Sequence, residues 1–394
     1  MTITGKRLFL TAAVCLLLPV VPLAAEIVTD TDFGWSLDLP EGFKVDDHTD
    51  DGMSYLFSHD RMPVSLAVKL YETGTYKSAE EALSGAVAKL PSGTCEKSPF
   101  TWRNTDCALG TFSMTIGQKK YTGWAESVTL PVKGAQLVLL CYADAQIEKD
   151  SEQFIMSVLN SLAIDRGSSF EPGIIVSYAF PPTEKQTVPL TINGRKIETQ
   201  LDRDDIAAAD FVVGCEYAVL SLYADNDKWQ QAWQRYYRMI FRDSFGRLKK
   251  ASFDINNALA GDAKKLNPHH PEEGMAQLLL TWTQGFAYER EKDNADFTPL
   301  PAVLTGEGSD CDSRSLLLCA LLENMGTKTA LFVSREYSHA LFGADVESAS
   351  DAENARMAAG SKNFLLGETT AHVNMGLIAQ DMSDTSKWIP VELP

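Results

Sequence analysis

The chain has 394 residues, 45% hydrophobic and 22% charged, the balance of a globular protein rather than a disordered or fibrous one. At roughly 100–200 residues per domain, two domains are expected. A formal net charge of −18 excludes the positive surface that phosphate-backbone binding requires, so no nucleic-acid partner is expected.

At the start, Lys6 and Arg7 precede LFLTAAVCLLLPVVPLAA and then Glu26. A basic, an apolar and a small-residue region in that order is the pattern of a cleaved export signal, here over residues 1–25. Pro19, Pro22, Ala24 and Ala25 favour cleavage over a retained anchor, and Val14 before Cys15 is too bulky for a lipoprotein signal. Loss of Lys6 and Arg7 takes the charge from −18 to about −20. No other apolar run approaches the ~20 residues of a membrane-spanning helix. The expected location is therefore periplasmic or secreted, with no stable membrane span after cleavage.

Cys95, Cys107, Cys141, Cys215, Cys311 and Cys319 follow the leader. An oxidising compartment permits disulfides, and Cys95 with Cys107, flanking one short aromatic segment, is the expected pair. There is no C-x-x-C, so a zinc ribbon or a thioredoxin-type site has no support.

Residues 26–165 read as an α+β domain, an antiparallel sheet with covering helices. DFGWSLDLPEGF, MSYLFS, VSLAVKLYE, CALGTFSMTI, YTGWAESVTL and QLVLLCYAD have the alternation or apolar runs of strands. Ser78 and Glu81 form a capping box before SAEEALSGAVAKL, and SEQFIMSVLNSL reads as a closing helix. The Gly-aromatic strand running into LPEGF (39–43) resembles the opening of Mog1/PsbP-like domains, which implies that fold for this third of the chain. Residues 166–205 read as a linker followed by a hairpin, with Asn193-Gly194 as a type I′ turn.

From 206 to 394 the pattern becomes helical, then mixed. Trp229, Trp233, Tyr236, Tyr237, Ile240 and Phe241 recur at three- and four-residue spacings, which reads as a core face rather than a ligand groove. PEEGMAQLLLTWTQGFAYER (271–290) predicts another helix. His269-His270 beside Pro271 reads as loop, because no carboxylate or cysteine is spaced to complete a metal site.

GSDCDSRSLLLCALLENMG (308–326) holds the chemistry. Ser309 is expected to cap the helix, with Cys311 at N2 and Asp312 at N3. A thiolate there gains from the helix start, whereas Asp310 and Asp312 oppose its ionisation, so a base is needed. His339 opens the strand HALFGADV, and Glu368 ends the strand NFLLGE with Thr369 and Thr370 after it. Asp345 is a weaker substitute for Glu368. A helix-start Cys, then His-Ala on a strand, then acid-Thr on the next resembles the transglutaminase-like (papain-like) superfamily over about 270–394. HALF stands where the family commonly has His-Ala-Trp. The insert ESASDAENARMAAGSKN (347–363) reads as an exposed helix or a flap between the second and third motifs.

The resemblance implies a helix-borne Cys packed on an antiparallel sheet and a Cys311–His339–Glu368 triad. It also suggests Gln284 as an oxyanion donor, as a glutamine serves in papain-like enzymes. The activity it implies is attack on amide bonds of protein, peptide or peptidoglycan through a thioester, with hydrolysis favoured over transfer to an amine. No metal or organic cofactor is required for this. The alternative is a catalytically inactive transglutaminase-like fold that serves as a binding module in the cell envelope.

Overall fold

The computed structural model describes residues 27–290, 295–348 and 354–394, together with the two-residue strand Thr2–Ile3. The rest of the expected leader lies outside the described residues. The chain divides into two compact units, one of Met1–Ser168, Gly173–Tyr178 and Ala218–Arg235, the other of Ser169–Pro172, Ala179–Tyr217 and Tyr236–Pro394.

The first unit is built on two sheets. β1 (Thr2–Ile3), β2 (Ile27–Asp30) and β3 (Trp35–Asp38) belong to a small sheet closed by β11 (Leu162–Ala163). The larger sheet takes β4 (Phe43–His48), β5 (Ser54–His59), β6 (Val64–Tyr71), β7 (Thr94–Trp102), β8 (Thr105–Ile116), β9 (Lys119–Thr129) and β10 (Gln136–Asp144). They lie in the order β4-β5-β6-β10-β9-β8-β7, every pairing antiparallel. β6 alternates buried Val64, Leu66, Val68 and Leu70 with half-buried residues, whereas central β10 is buried from Gln136 to Cys141. The alternation and the continuous run are the two signatures of half-buried and fully buried strands.

Helix α1 (Ala79–Val87) starts at Ser78, whose Oγ accepts from the Glu81 N–H at 3.2 Å, while Glu81 Oε2 accepts from the Lys77 N–H at 3.0 Å. Its Ala79, Ala82, Leu83 and Val87 bury against Phe112, Ala125 and Val138 of the sheet. Burying a side chain such as Leu83 contributes about 1.5–3 kcal/mol. α2 (Glu148–Asn160) packs on β9 and β10 through Phe154, Ile155, Val158 and Leu159, and α3 (Ile174–Ala179) follows.

The pairing of Cys95 with Cys107 is not made. Both are free thiols, and the β7–β8 register sets Cys95 opposite Phe112 and Cys107 opposite Phe100. Five residues of offset along an antiparallel pair is roughly 17 Å, far beyond a disulfide's span.

Residues 218–235 also belong to this unit. The Tyr223 hydroxyl donates to the Glu41 carbonyl at 2.5 Å. His59 Nε2 lies 2.9 Å from the same carbonyl and 3.0 Å from the hydroxyl, and its Nδ1 accepts from the Met62 N–H at 2.9 Å. Arg235 Nε donates to Asp38 O at 2.7 Å and a terminal nitrogen to Ser157 Oγ at 3.0 Å.

The second unit begins its regular structure with a hairpin, β12 (Lys185–Ile192) and β13 (Arg195–Asp202), turned at Asn193 and Gly194 with φ of +49° and +83°. Two consecutive positive φ angles make the type I′ turn that Asn-Gly suits. The hairpin is docked rather than loose, since Asn193 Nδ2 donates to Leu278 O at 2.8 Å and Arg195 Nε to Asp262 at 2.5 Å. The helices that follow are α4 (Asp205–Ser221), α5 (Trp229–Arg247), α6 (Lys249–Leu266), α7 (Pro271–Thr283), α8 (Leu300–Leu304) and α9 (Cys311–Asn324). In α5, Tyr236, Tyr237, Ile240 and Phe241 are buried, as a core face requires.

Five antiparallel strands complete the unit: β14 (Thr329–Ser334), β15 (His339–Ala344), β16 (Arg356–Ala359), β17 (Lys362–Gly367) and β18 (Ile389–Glu392), in the order β16-β17-β15-β14-β18. α9 packs on β14 and β15 and is buried on every side from Cys311 to Leu322 except half-buried Asp312. It ends before Gly326, whose φ of +95° supplies the left-handed C-terminal residue. No described helix is long and apolar enough to cross a membrane.

Candidate active site

The approach to α9 is extended. Ser309 forms a parallel bridge with Tyr288, its N–H donating to Ala287 O at 3.1 Å and its carbonyl accepting from the Glu289 N–H at 3.3 Å. Pinned there, Ser309 does not cap the helix. The cap is Asp310, whose Oδ1 accepts from the Ser313 N–H at 2.9 Å, and Cys311 is the first helical residue rather than the second.

Cys311 is 3% exposed, and its thiol donates to Asp312 Oδ1 at 3.2 Å. Burial, followed by the Asp312 and Asp310 carboxylates, pushes the thiol far above its ordinary range; the Ala340 N–H within bonding reach of the sulfur works the other way. The positive helix end is therefore outweighed. Burial raises Asp310 and Asp312 as well. Tyr237 of α5 donates its hydroxyl to Asp312 Oδ2. The spacing of α5 showed Tyr237 as a core residue and carried no sign of this second role.

Adjacent strands bring the other two residues together. His339 opens β15 and Glu368 follows the last residue of β17, and β15 and β17 are neighbours. His339 Nε2 lies 2.6 Å from Glu368 Oε2. Glu368 Oε1 accepts from the N–H and the hydroxyl of Thr370, each at 2.7 Å, which fixes the carboxylate plane. Burial pushes Glu368 up, but the His339 contact and the Thr370 bonds outweigh it and hold the carboxyl below its ordinary value. A carboxylate on Nε2 assigns the ring proton there and leaves Nδ1 as the basic nitrogen. α9, which starts at Cys311, packs on β15, the strand that His339 opens.

Trp388 stands edge-on to the His339 ring with centroids 6.4 Å apart, its Nε1 donating to Met382 O at 2.9 Å. Nothing local in the sequence announced it. Leu341 and Phe342, which follow His339 and Ala340 in β15, are fully buried in the sheet.

Gln284 sits elsewhere than an oxyanion donor would. Its amide nitrogen donates to Glu368 O at 2.9 Å and Val373 O at 2.8 Å, so both hydrogens are committed to backbone carbonyls. Asp345 pairs with Lys362. His269 and His270 donate their backbone N–H groups to Asn267 in the turn before α7, and no cluster of metal ligands forms among the described residues. In the 347–363 insert, residues 349–353 lie outside the described residues. The remainder includes β16, hydrogen-bonded to β17 in the sheet, in place of the expected helix or flap.

No family model matches the sequence, and no curated protein does. Part of the chain bears a weak structural likeness to PsbP/Mog1-like folds. It is similar to the cyanobacterial PsbP of Synechocystis at TM-score 0.31 and 12% identity, covering 39% of this chain and 98% of that one. It is similar to the Saccharomyces cerevisiae Ran-binding protein Mog1p at TM-score 0.27 and 12% identity, covering 34% and 92%. LpqN of Mycobacterium tuberculosis gives TM-score 0.23 and 18% identity over 33% and 79%.

Proposed function

We propose that the chain is an exported cysteine enzyme of transglutaminase-like type that hydrolyses amide bonds in proteins, peptides or peptidoglycan. One observation carries the reading: the 2.6 Å His339–Glu368 contact, on a strand against which the helix that begins at Cys311 packs. Burial and the two neighbouring carboxylates disfavour the Cys311 thiolate, so proton transfer accompanies attack, as it does for a serine nucleophile. The Cys311 thiol proton passes to His339 Nδ1 as sulfur bonds to the amide carbonyl carbon. Glu368 stabilises the imidazolium through Nε2–H. The backbone N–H of Cys311, one of the unmatched donors at a helix start, meets the oxyanion. The C–N bond then breaks as the imidazolium returns its proton to the departing amine, leaving a thioester. Water, deprotonated by the same nitrogen, attacks the thioester carbonyl; the C–S bond breaks, the acid is released and the imidazolium returns its proton to the Cys311 sulfur. With Gln284 committed elsewhere, the oxyanion depends on backbone donors.

A second reading has one observation in its favour: the thiol donates to Asp312 and is buried, as in an inactive fold retained for binding. Iodoacetamide labelling of Cys311, followed by peptide mass spectrometry from pH 5 to 9, separates the two. The enzyme reading expects labelling well below the ordinary thiol range near 8.5, lost in His339→Ala. Labelling that only follows ordinary thiol ionisation and ignores His339 favours the inactive fold. Turnover of peptide and peptidoglycan amides, absent in Cys311→Ala, completes the test.

A further inference from the structure

β17 ends at Gly367, so the sheet ladder does not hold the backbone of Glu368 and the residues after it. Two buried side chains do. Arg314 lies one turn beyond Cys311 on α9 and is 2% exposed. Its Nε–H donates to Ser309 Oγ at 3.2 Å, on the approach to the helix. Its terminal nitrogens donate to Phe286 O at 3.0 Å and to Thr369 O at 3.3 Å. The Tyr288 ring covers the guanidinium, with its centroid 5.4 Å from the central carbon. From the end of α7, Gln284 grips the same loop at Glu368 O and Val373 O.

We propose that Arg314 and Gln284 form a clamp that sets the position of Glu368, and through it the His339 ring, relative to Cys311. The inference rests on the triad reading above. Both are positioning residues, since neither is aimed at the reacting atoms. Arg314 belongs to the helix that carries the nucleophile and bonds the carbonyl next to the acid, so one planar group ties the two ends of the triad together. Lysine is no substitute, because a single ammonium cannot meet acceptors on three segments in the fork geometry of a guanidinium. A residue that merely filled the core would affect stability and leave the reactivity profile of Cys311 alone.

The test uses the full chain and compares iodoacetamide labelling of Cys311 from pH 5 to 9 in the native protein, Arg314→Lys, Gln284→Leu and His339→Ala, with thermal melts alongside. Arg314→Lys and Gln284→Leu are expected to lose about tenfold of the His339-dependent rate below the thiol range, the penalty of a sub-ångström to ångström misplacement. Their His339-independent rate, the part that survives in His339→Ala, should stay unchanged. Variants that melt lower yet keep the native profile overturn the clamp. If Arg314→Lys does not fold, Gln284→Leu decides by the same criterion. If neither folds, the two residues are core and the proposal is overturned. A native protein with no His339-dependent rate brings down the triad reading itself, a result distinct from an intact triad that ignores Arg314 and Gln284.

Discussion

At the scale of single residues, the surroundings of Cys311 are set by the carboxylates on either side of it. Asp310 caps α9 and Asp312 accepts from the thiol, and both oppose a thiolate. Asp310→Asn keeps a capping side chain, since asparagine caps as well as aspartate, while removing one carboxylate. Labelling of Cys311 at pH 7 should then rise up to about tenfold, the size of one pKa unit. Stability gives an independent check. Burial holds Asp310 above its ordinary value, so the native state binds a proton there more readily than the unfolded chain. That contribution is full below the unfolded value near 3.9 and is lost as pH rises through the native one. Thermal melts across this window should show the native protein weakening relative to Asp310→Asn as pH rises. A difference that is flat with pH would contradict the assignment. Cys311, His339 and Glu368 could be singled out because each sits in a short local pattern. The roles of Arg314, Gln284, Tyr237 and Trp388 could not, because they are contacts between segments tens of residues apart, which periodicity and spacing cannot register.

Among the elements, α9, which starts at Cys311, is deeply packed. Leu316, Leu317, Leu318, Leu321 and Leu322 are all fully buried, so the apolar run surrounds the helix instead of lining one face. Leu317→Ala should cost about 2–5 kcal/mol by urea unfolding, as lost transfer energy plus a cavity. A change within about 0.5 kcal/mol would place Leu317 among surface substitutions. The strands that the sequence left unmarked are instructive. β4 (FKVDDH) and β7 (TCEKSPFTW) are the two edges of the seven-stranded sheet. Edge strands take charges and proline to deter further pairing, and those residues erase the alternation by which a strand is recognised. The helix start was displaced by one residue for a comparable reason. Ser309 is a good cap in isolation, but its backbone is already held in the bridge to Tyr288.

For the whole molecule, the first unit has a titratable joint. His59 accepts a backbone N–H at Nδ1, so its ring is neutral, and burial lowers its pKa. The unfolded chain takes up a proton near pH 6.5 more readily than the native one. The stability from neutral His59 is therefore complete above that pH and is lost as pH falls toward the depressed native value. Melting temperature should decline from pH 7 to 5 in the native protein and less steeply in His59→Gln. An identical decline in both would remove His59 from the account. The two-part layout was legible from the shift in composition near residue 200, but the return of residues 218–235 to the first unit was not. Those residues lie where the pattern turns helical, and helical periodicity does not say which sheet a helix covers.

That return bears on how the protein comes into being. Asp38, Glu41, Ser157 and His59 all find partners on Tyr223 or Arg235, so the amino-terminal unit is incomplete until synthesis has passed residue 235. A fragment cut within 166–205, where composition alone suggests a boundary, carries the whole large sheet yet lacks the segment that seals it. A fragment that keeps all of these contacts runs to residue 235 and so includes residues 179–217 of the second unit.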